Sequence, residues 1–182
     1  MIPAVRSSLD VAIWFCERAE SANRAMPAIK LQQLLYLAQV EYAKKSGGRK
    51  LLPATFLAAP FGPLEPTVYH ACERGKPALP VTYPARQIEE FLMKIWDGYA
   101  TQPAELLDEI VRAEPNYRRT LRQGHNSEID ISPIHLVEDT ADSSEPARPK
   151  KRPQVRDETF VGISSSGKRA TKWRPGSTLP KF

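Results

Sequence analysis

Apolar residues recur with helical spacing over most of the chain before residue 125. Leu9, Ala12, Ile13 and Cys16 stand at i, i+3, i+4 and i+7 and predict a helix over about 8–19. Val11, Trp14 and Phe15 widen its stripe, so it is expected to be covered on more than one side. Pro27 suits a first helical position and Gly47-Gly48 a stop, which predicts a second helix over about 27–46. Leu31, Leu34, Leu35 and Ala38 form its seam, with Lys30, Gln33, Glu41, Lys44 and Lys45 placed toward water. The stretch 51–60 is short, apolar and bounded by proline, and Thr55, Phe56 and Leu57 favour a small strand or an extended crossing.

Phe61-Gly62-Pro63 predicts a sharp turn, because the residue before a proline is driven from the helical region and glycine relaxes the steric limits. A third helix is expected directly afterwards, over 64–74, with Val68 and Cys72 on one face and Gly75 as its stop. Beyond a proline-rich connection over 77–84, Ile88, Phe91, Leu92, Ile95, Trp96 and Tyr99 mark a fourth helix. Pro103 opens a fifth carrying Leu106, Leu107, Ile110 and Val111, and Pro115 a short basic one ending at Gly124. Ser132-Pro133 predicts a last helix through about Glu138. The expectation is a mainly α-helical fold: a compact helical domain over 1–139 with a small β element near Thr55–Leu57, then a tail over 140–182.

Charge sharpens that division. Of 26 Lys+Arg and 21 Asp+Glu in 182 residues, positions 1–140 hold 16 basic and 17 acidic, leaving 10 basic and 4 acidic for 141–182. The body is near neutral and the tail basic, so a broad footprint for duplex nucleic acid is not expected of the body. The tail is rich in Ser, Pro, Lys and Arg and lacks apolar periodicity, the composition of a segment unable to offset its own ordering entropy and open to ordering by a partner. Two apolar islands interrupt it, Thr159-Phe160-Val161-Gly162-Ile163 and Lys172-Trp173-Arg174. Phe160, Val161 and Ile163 suit an edge strand or apolar anchor on a partner, and Trp173 with Arg174 a second anchor, since aromatic and Arg residues dominate many interfaces.

Sites of chemistry are harder to find. No run approaches the roughly 18 apolar residues of a membrane span, and the first ten residues lack the features of a secretory signal, which points to a cytoplasmic protein without membrane partners. Cys16 and Cys72 belong to no Cys-x-x-Cys pair and read as buried reduced thiols. His70, His125 and His135 lack metal-ligand spacing, and His70 and Cys72, two apart on a helix, point to different faces. There is no nucleophile elbow, phosphate loop or dinucleotide fingerprint, and Glu89-Glu90 and Asp108-Glu109 read as solvated helix faces. No enzyme, metal or cofactor is expected. Arg118-Arg119 with Arg122, and the run Arg148 to Arg152, leave nucleic-acid binding as a second, less favoured reading.

Lys30-Leu31-Gln32-Gln33-Leu34-Leu35-Tyr36-Leu37-Ala38, followed by Ala58-Ala59-Pro60-Phe61-Gly62-Pro63-Leu64, resembles the Panacea domain of phage-associated, SocA-like antitoxins. The family shows a Lys-Leu-Gln-Lys-Leu-Leu-Tyr-like helix and then an aromatic-containing turn ending in Gly-Pro-Val. This chain departs at Gln33, where Lys is common, at Ala59, where a large aromatic is usual, and at Leu64, where Val is usual. Tyr117-Arg118 resembles the family's late aromatic-basic segment more weakly. The likeness covers about 8–138 and excludes the tail. It implies an antitoxin of a toxin–antitoxin pair that binds its cognate toxin, either sequestering it or acting as a proteolytic adaptor that delivers it to ClpXP. Lys30, Gln33, Tyr36 and Phe61 are the body residues the resemblance offers for the partner. Tyr36 also has a plain reading as a packing residue with a polar tip, and Phe61, Gly62 and Pro63 as turn chemistry.

Overall fold

Every residue from Leu31 to Val40 is buried, and this ten-residue stretch organises the fold. It lies in α2 (Ala28–Lys45), which Pro27 enters in an extended conformation and which ends before Gly47 and Gly48, both at positive φ. In the computed structural model, which describes residues 2–131, α2 touches α1 (Ser8–Ser21), α3 (Pro66–Cys72), α4 (Arg86–Ile95), α5 (Ala104–Ala113) and a small hairpin. The last helix among the described residues is α6 (Pro115–Gln123). All described residues lie in one compact unit, which falls within Met1–Asp142. The fold is mainly α with one two-stranded sheet. The expected helix over Ser132 to Glu138 lies outside the described residues.

Helix α1 is covered on more than one side, with Val11 to Cys16 all buried, but the central element is α2. That placement corrects the sequence reading of Gln33, which is 4% exposed instead of facing water. A helix enclosed by five neighbours has no wet face at mid-length, so its polar residues turn to hydrogen bonds inside, although among the described residues Gln32 Nε2 is left without one. Gln39 Oε1 accepts from the Leu51 and Leu52 amides (3.1 and 2.9 Å), and Gln32 Oε1 accepts from the Glu65 amide (2.7 Å). These amides close the loops that follow α2, so its glutamines fix the path of the next twenty residues.

The β element forms later than the extended reading of Thr55–Leu57 predicts. Strand β1 is Leu57–Ala59 and pairs antiparallel with β2, Gly62–Leu64, so that Ala59 faces Gly62 across a two-residue Pro60-Phe61 loop. Residues 62–64 are therefore strand, and the helix expected to begin at 64 starts at Pro66 after Glu65 caps it. Pro63, which has no amide to donate, sits opposite Ala58 on an edge strand that tolerates it. The other edge of β1 is covered by residues 126–129. Ala58 N donates to Ser127 O, Asn126 N to Ala58 O and Ile129 N to Phe56 O, at 2.7–2.9 Å.

The single helix expected across Ile88 to Tyr99 is α4 followed by a π-helical turn, Trp96–Ala100. Cys16 and Cys72 are buried and unpaired, as read from their isolation in the sequence. No helix among the described residues is long and apolar enough to cross a membrane.

Candidate functional site

The three sequence blocks that carry the resemblance come together at the hairpin. Tyr36, fully buried on α2, donates its hydroxyl to Glu114 Oε2. The same carboxylate accepts from the Tyr117 amide (2.9 Å), and its other oxygen from Asn116 Nδ2 (3.0 Å). Glu114 thereby caps α6, where the unpaired amides of the first turn favour a negative charge. Tyr117 then donates its own hydroxyl to Ala59 O (2.7 Å), the last carbonyl of β1. A continuous buried path runs from α2 through the α6 cap to the hairpin tip.

Aromatic packing follows the same path. Tyr36 meets Phe56 edge-on at 5.4 Å and Tyr117 at 6.5 Å between ring centroids. Burial, with the neighbouring Glu114 charge second, pushes the Tyr36 hydroxyl well above its usual pKa, so it is a proton donor at all ordinary pH values. Tyr36 supports the hairpin from within and does not reach the surface, in agreement with its packing reading. Gln33 is likewise internal, with Nε2 lying 3.5 Å from Asp108 Oδ1 on α5. Asp108, read in sequence as part of a solvated face, also accepts from Arg112 Nε at 2.6 Å.

What reaches water is Phe61. It is 42% exposed at the tip of the two-residue loop, flanked by Tyr69 of α3 with ring centroids 6.3 Å apart. Gly62, at φ +133°, provides the backbone conformation that turns the loop. Arg112 Nη2 donates to Pro60 O (3.4 Å) and ties the tip to α5. The arrangement presents one aromatic side chain on a loop immobilised from below by Tyr117 and from the side by Arg112. Such an exposed, preorganised aromatic beside an Arg is suited to anchoring a protein partner.

Lys30 is half-buried. Its Nζ donates to Gln102 O (3.2 Å) just past the π turn, and burial, with Arg24 second, lowers its pKa. Of the body residues offered for partner contact, Phe61 is exposed, Lys30 is partly engaged within the fold, and Gln33 and Tyr36 are interior. Phe160, Val161, Ile163, Trp173 and Arg174 lie outside the described residues. His70 is exposed and Cys72 buried, so they do point apart. Among the described residues no cluster of three or more His, Cys, Asp or Glu could hold a metal.

Sequence reasoning missed Glu114, although a signal for it exists. Glu65-Pro66 and Glu114-Pro115 are the same device: Glu caps the helix and accepts from the amide three residues on, while proline takes the first helical position. Compared with family models, curated proteins and solved structures, the chain matches none.

Proposed function

We propose that this chain is the antitoxin of a toxin–antitoxin pair, that it binds its cognate toxin through the hairpin tip at Phe61, and that it delivers the toxin to the ClpXP protease. The observation that carries the reading is the exposure of Phe61 on a loop held by Tyr36, Glu114, Tyr117 and Arg112. The two best-matched blocks of the resemblance, and the weaker third, supply the tip and two of its supports, Tyr36 and Tyr117, an arrangement suited to one presented contact. An adaptor needs no active site. It needs one surface for cargo and another for the protease, so that the cargo's local concentration rises at the protease.

The test is a purified system containing this chain, the product of the neighbouring gene, ClpXP and ATP. Loss of the neighbour only when this chain is present supports delivery. A tight complex without loss supports sequestration instead. Phe61→Asp is expected to weaken the complex about 100-fold, within the range of an interface hot spot, while the domain stays folded with a modestly lowered unfolding midpoint, since the side chain is part exposed and loses its contact with Tyr69. Full affinity in that variant places the contact elsewhere. The basic residues of 141–182 favour a second reading, a nucleic-acid-binding regulator, whose affinity would fall steeply with salt.

A further inference from the structure

The two cysteines of the chain are far apart in sequence and close in the fold. Cys16 lies on α1 and Cys72 is the last residue of α3, and these helices pack together. Glu20 stands one turn beyond Cys16 on the same face of α1, Lys76 stands four residues beyond Cys72, and the two side chains pair at 2.6 Å. That contact holds the C-terminal ends of α1 and α3 side by side. On either side of Cys16, one turn away, are the buried Ala12 and Ala19, and a face of such small residues lets a second helix approach closely. We infer that Cys16 and Cys72 form an oxidisable dithiol site, which hydrogen peroxide converts to an intramolecular disulfide joining α1 to α3.

Both thiols belong to the apolar core but sit at its rim. Cys16 keeps 7% and Cys72 5% of its surface, whereas the adjacent Phe15 and Val68 keep none. Such slight exposure favours a small oxidant from solvent and a second thiol from within the same fold. Electrostatics agrees with the placement. Burial is the first cause of the raised Cys16 pKa and the Cys72 charge the second, so each sulfur lies within electrostatic reach of the other. Cys72 is raised too, chiefly by burial. Both groups are therefore thiols at neutral pH, and the site rests in its reduced form.

The Lys76 ammonium acts against the other causes by favouring the Cys16 thiolate, which makes Cys16 the attacking sulfur. Its thiolate attacks one peroxide oxygen, the O–O bond breaks, hydroxide leaves, and Cys16 becomes a sulfenic acid. The Cys72 thiol then attacks the Cys16 sulfur. The S–S bond forms, the S–O bond breaks, and water leaves with the proton of Cys72. Two thiols are oxidised and one peroxide is reduced. The new bond closes a loop that contains α2 and the hairpin, which restricts the unfolded chain and stabilises the native one. This site is independent of the contact proposed at Phe61.

The test treats the reduced full chain with hydrogen peroxide at micromolar protein concentration, then alkylates under denaturing conditions and weighs the product. The expected product is a monomer that has lost two hydrogens and takes up no alkylating reagent. It should exceed disulfide-linked dimer at least about tenfold, because a thiol held in the same fold has an effective concentration near the millimolar range. Its urea midpoint should rise and return to the starting value with dithiothreitol, which does not reverse methionine oxidation. Cys72→Ala should accumulate sulfenic or sulfinic acid at Cys16 without any disulfide within the monomer. Dimers as the main product, sulfinic acid without disulfide in the native chain, or two unreacted thiols would each overturn the assignment. So would an oxidised monomer with a lowered urea midpoint, since the fold would then have to open before the sulfurs could meet.

Discussion

At the scale of single residues, Glu114 carries the largest consequence. The residue is 7% exposed, and its carboxylate accepts from Tyr36 Oη, Tyr117 N and Asn116 Nδ2. Removing it leaves three donors without an acceptor in the interior, each costing about 1–3 kcal/mol. Glu114→Ala is therefore expected to lower stability by about 3–5 kcal/mol. Tyr36→Phe keeps the ring packing and removes one donor of three, so it should cost about 1–3 kcal/mol. Urea unfolding of both variants checks the order; equal losses would mean that the carboxylate has other support. A second residue-scale effect is set by pH. Burial, with Cys72 second, pushes the Cys16 thiol from 9.0 up to about 11. Cys72 and Tyr36 shift upward too, each chiefly through burial. A raised folded-state pKa means the native state holds its proton more tightly than the unfolded chain. The stabilisation is complete below about pH 9 and is lost as pH rises through about 11. For Cys16 alone the loss approaches about 3 kcal/mol. Unfolding midpoints recorded from pH 7.5 to 11 should fall in the alkaline limb, and less steeply in Cys16→Ala.

At the scale of elements, the hairpin is the least robust piece, since each strand has three residues and it rests on β1's pairing with 126–129 and on Tyr117. Gly62 sits at φ +133°, and a Cβ built there meets nothing within 4 Å. The cost of Gly62→Ala is thus backbone strain without a clash, about 1–3 kcal/mol. The same strain should displace the neighbouring Phe61 and reduce partner affinity, measured by calorimetry at a temperature where the variant is fully folded; undiminished affinity would show that the tip tolerates a different turn. The contrast between elements explains what could be read in advance. Helices α1, α5 and α6 announced themselves through apolar spacing and through Pro103, Pro115 and Gly124, because a helix with one buried face writes that face into the sequence. The position of helix α2 is legible in the sequence but the burial of Gln33 is not, since a period-based reading assigns a polar residue outside the apolar seam to water. The hairpin was legible only as a turn: Ala58, Ala59, Gly62 and Pro63 have poor strand propensity, and tertiary contacts hold them extended. Of the site, Phe61 is legible as turn chemistry and its buried network is not, because Tyr36 lies 78 positions from Glu114, which lies three from Tyr117, and the three side chains meet only in the folded chain.

At the scale of the whole molecule, the excess positive charge lies in 141–182 and the proposed apolar contact at Phe61 lies in the near-neutral body, and salt can separate the two. All ten basic residues of 141–182 follow Asp142, whereas 1–140 is nearly balanced. If half of those cations engage phosphates, affinity for a short duplex should drop about 10²–10³-fold between 50 and 200 mM salt. A chain ending at Asp142 should show no such binding. The contact proposed at Phe61 would be apolar, and the nearby Arg112 already has its counterion in Asp108 at 2.6 Å. Its strength should therefore change by less than about threefold over the same salt range, because screening acts mainly on exposed net charge. Measuring toxin affinity in both chains at both salt concentrations gives four values. A complex that is salt-independent and survives truncation locates recognition on the hairpin. One that weakens as steeply as DNA binding and vanishes with the tail would move recognition to the basic segment and leave Phe61 as turn chemistry alone.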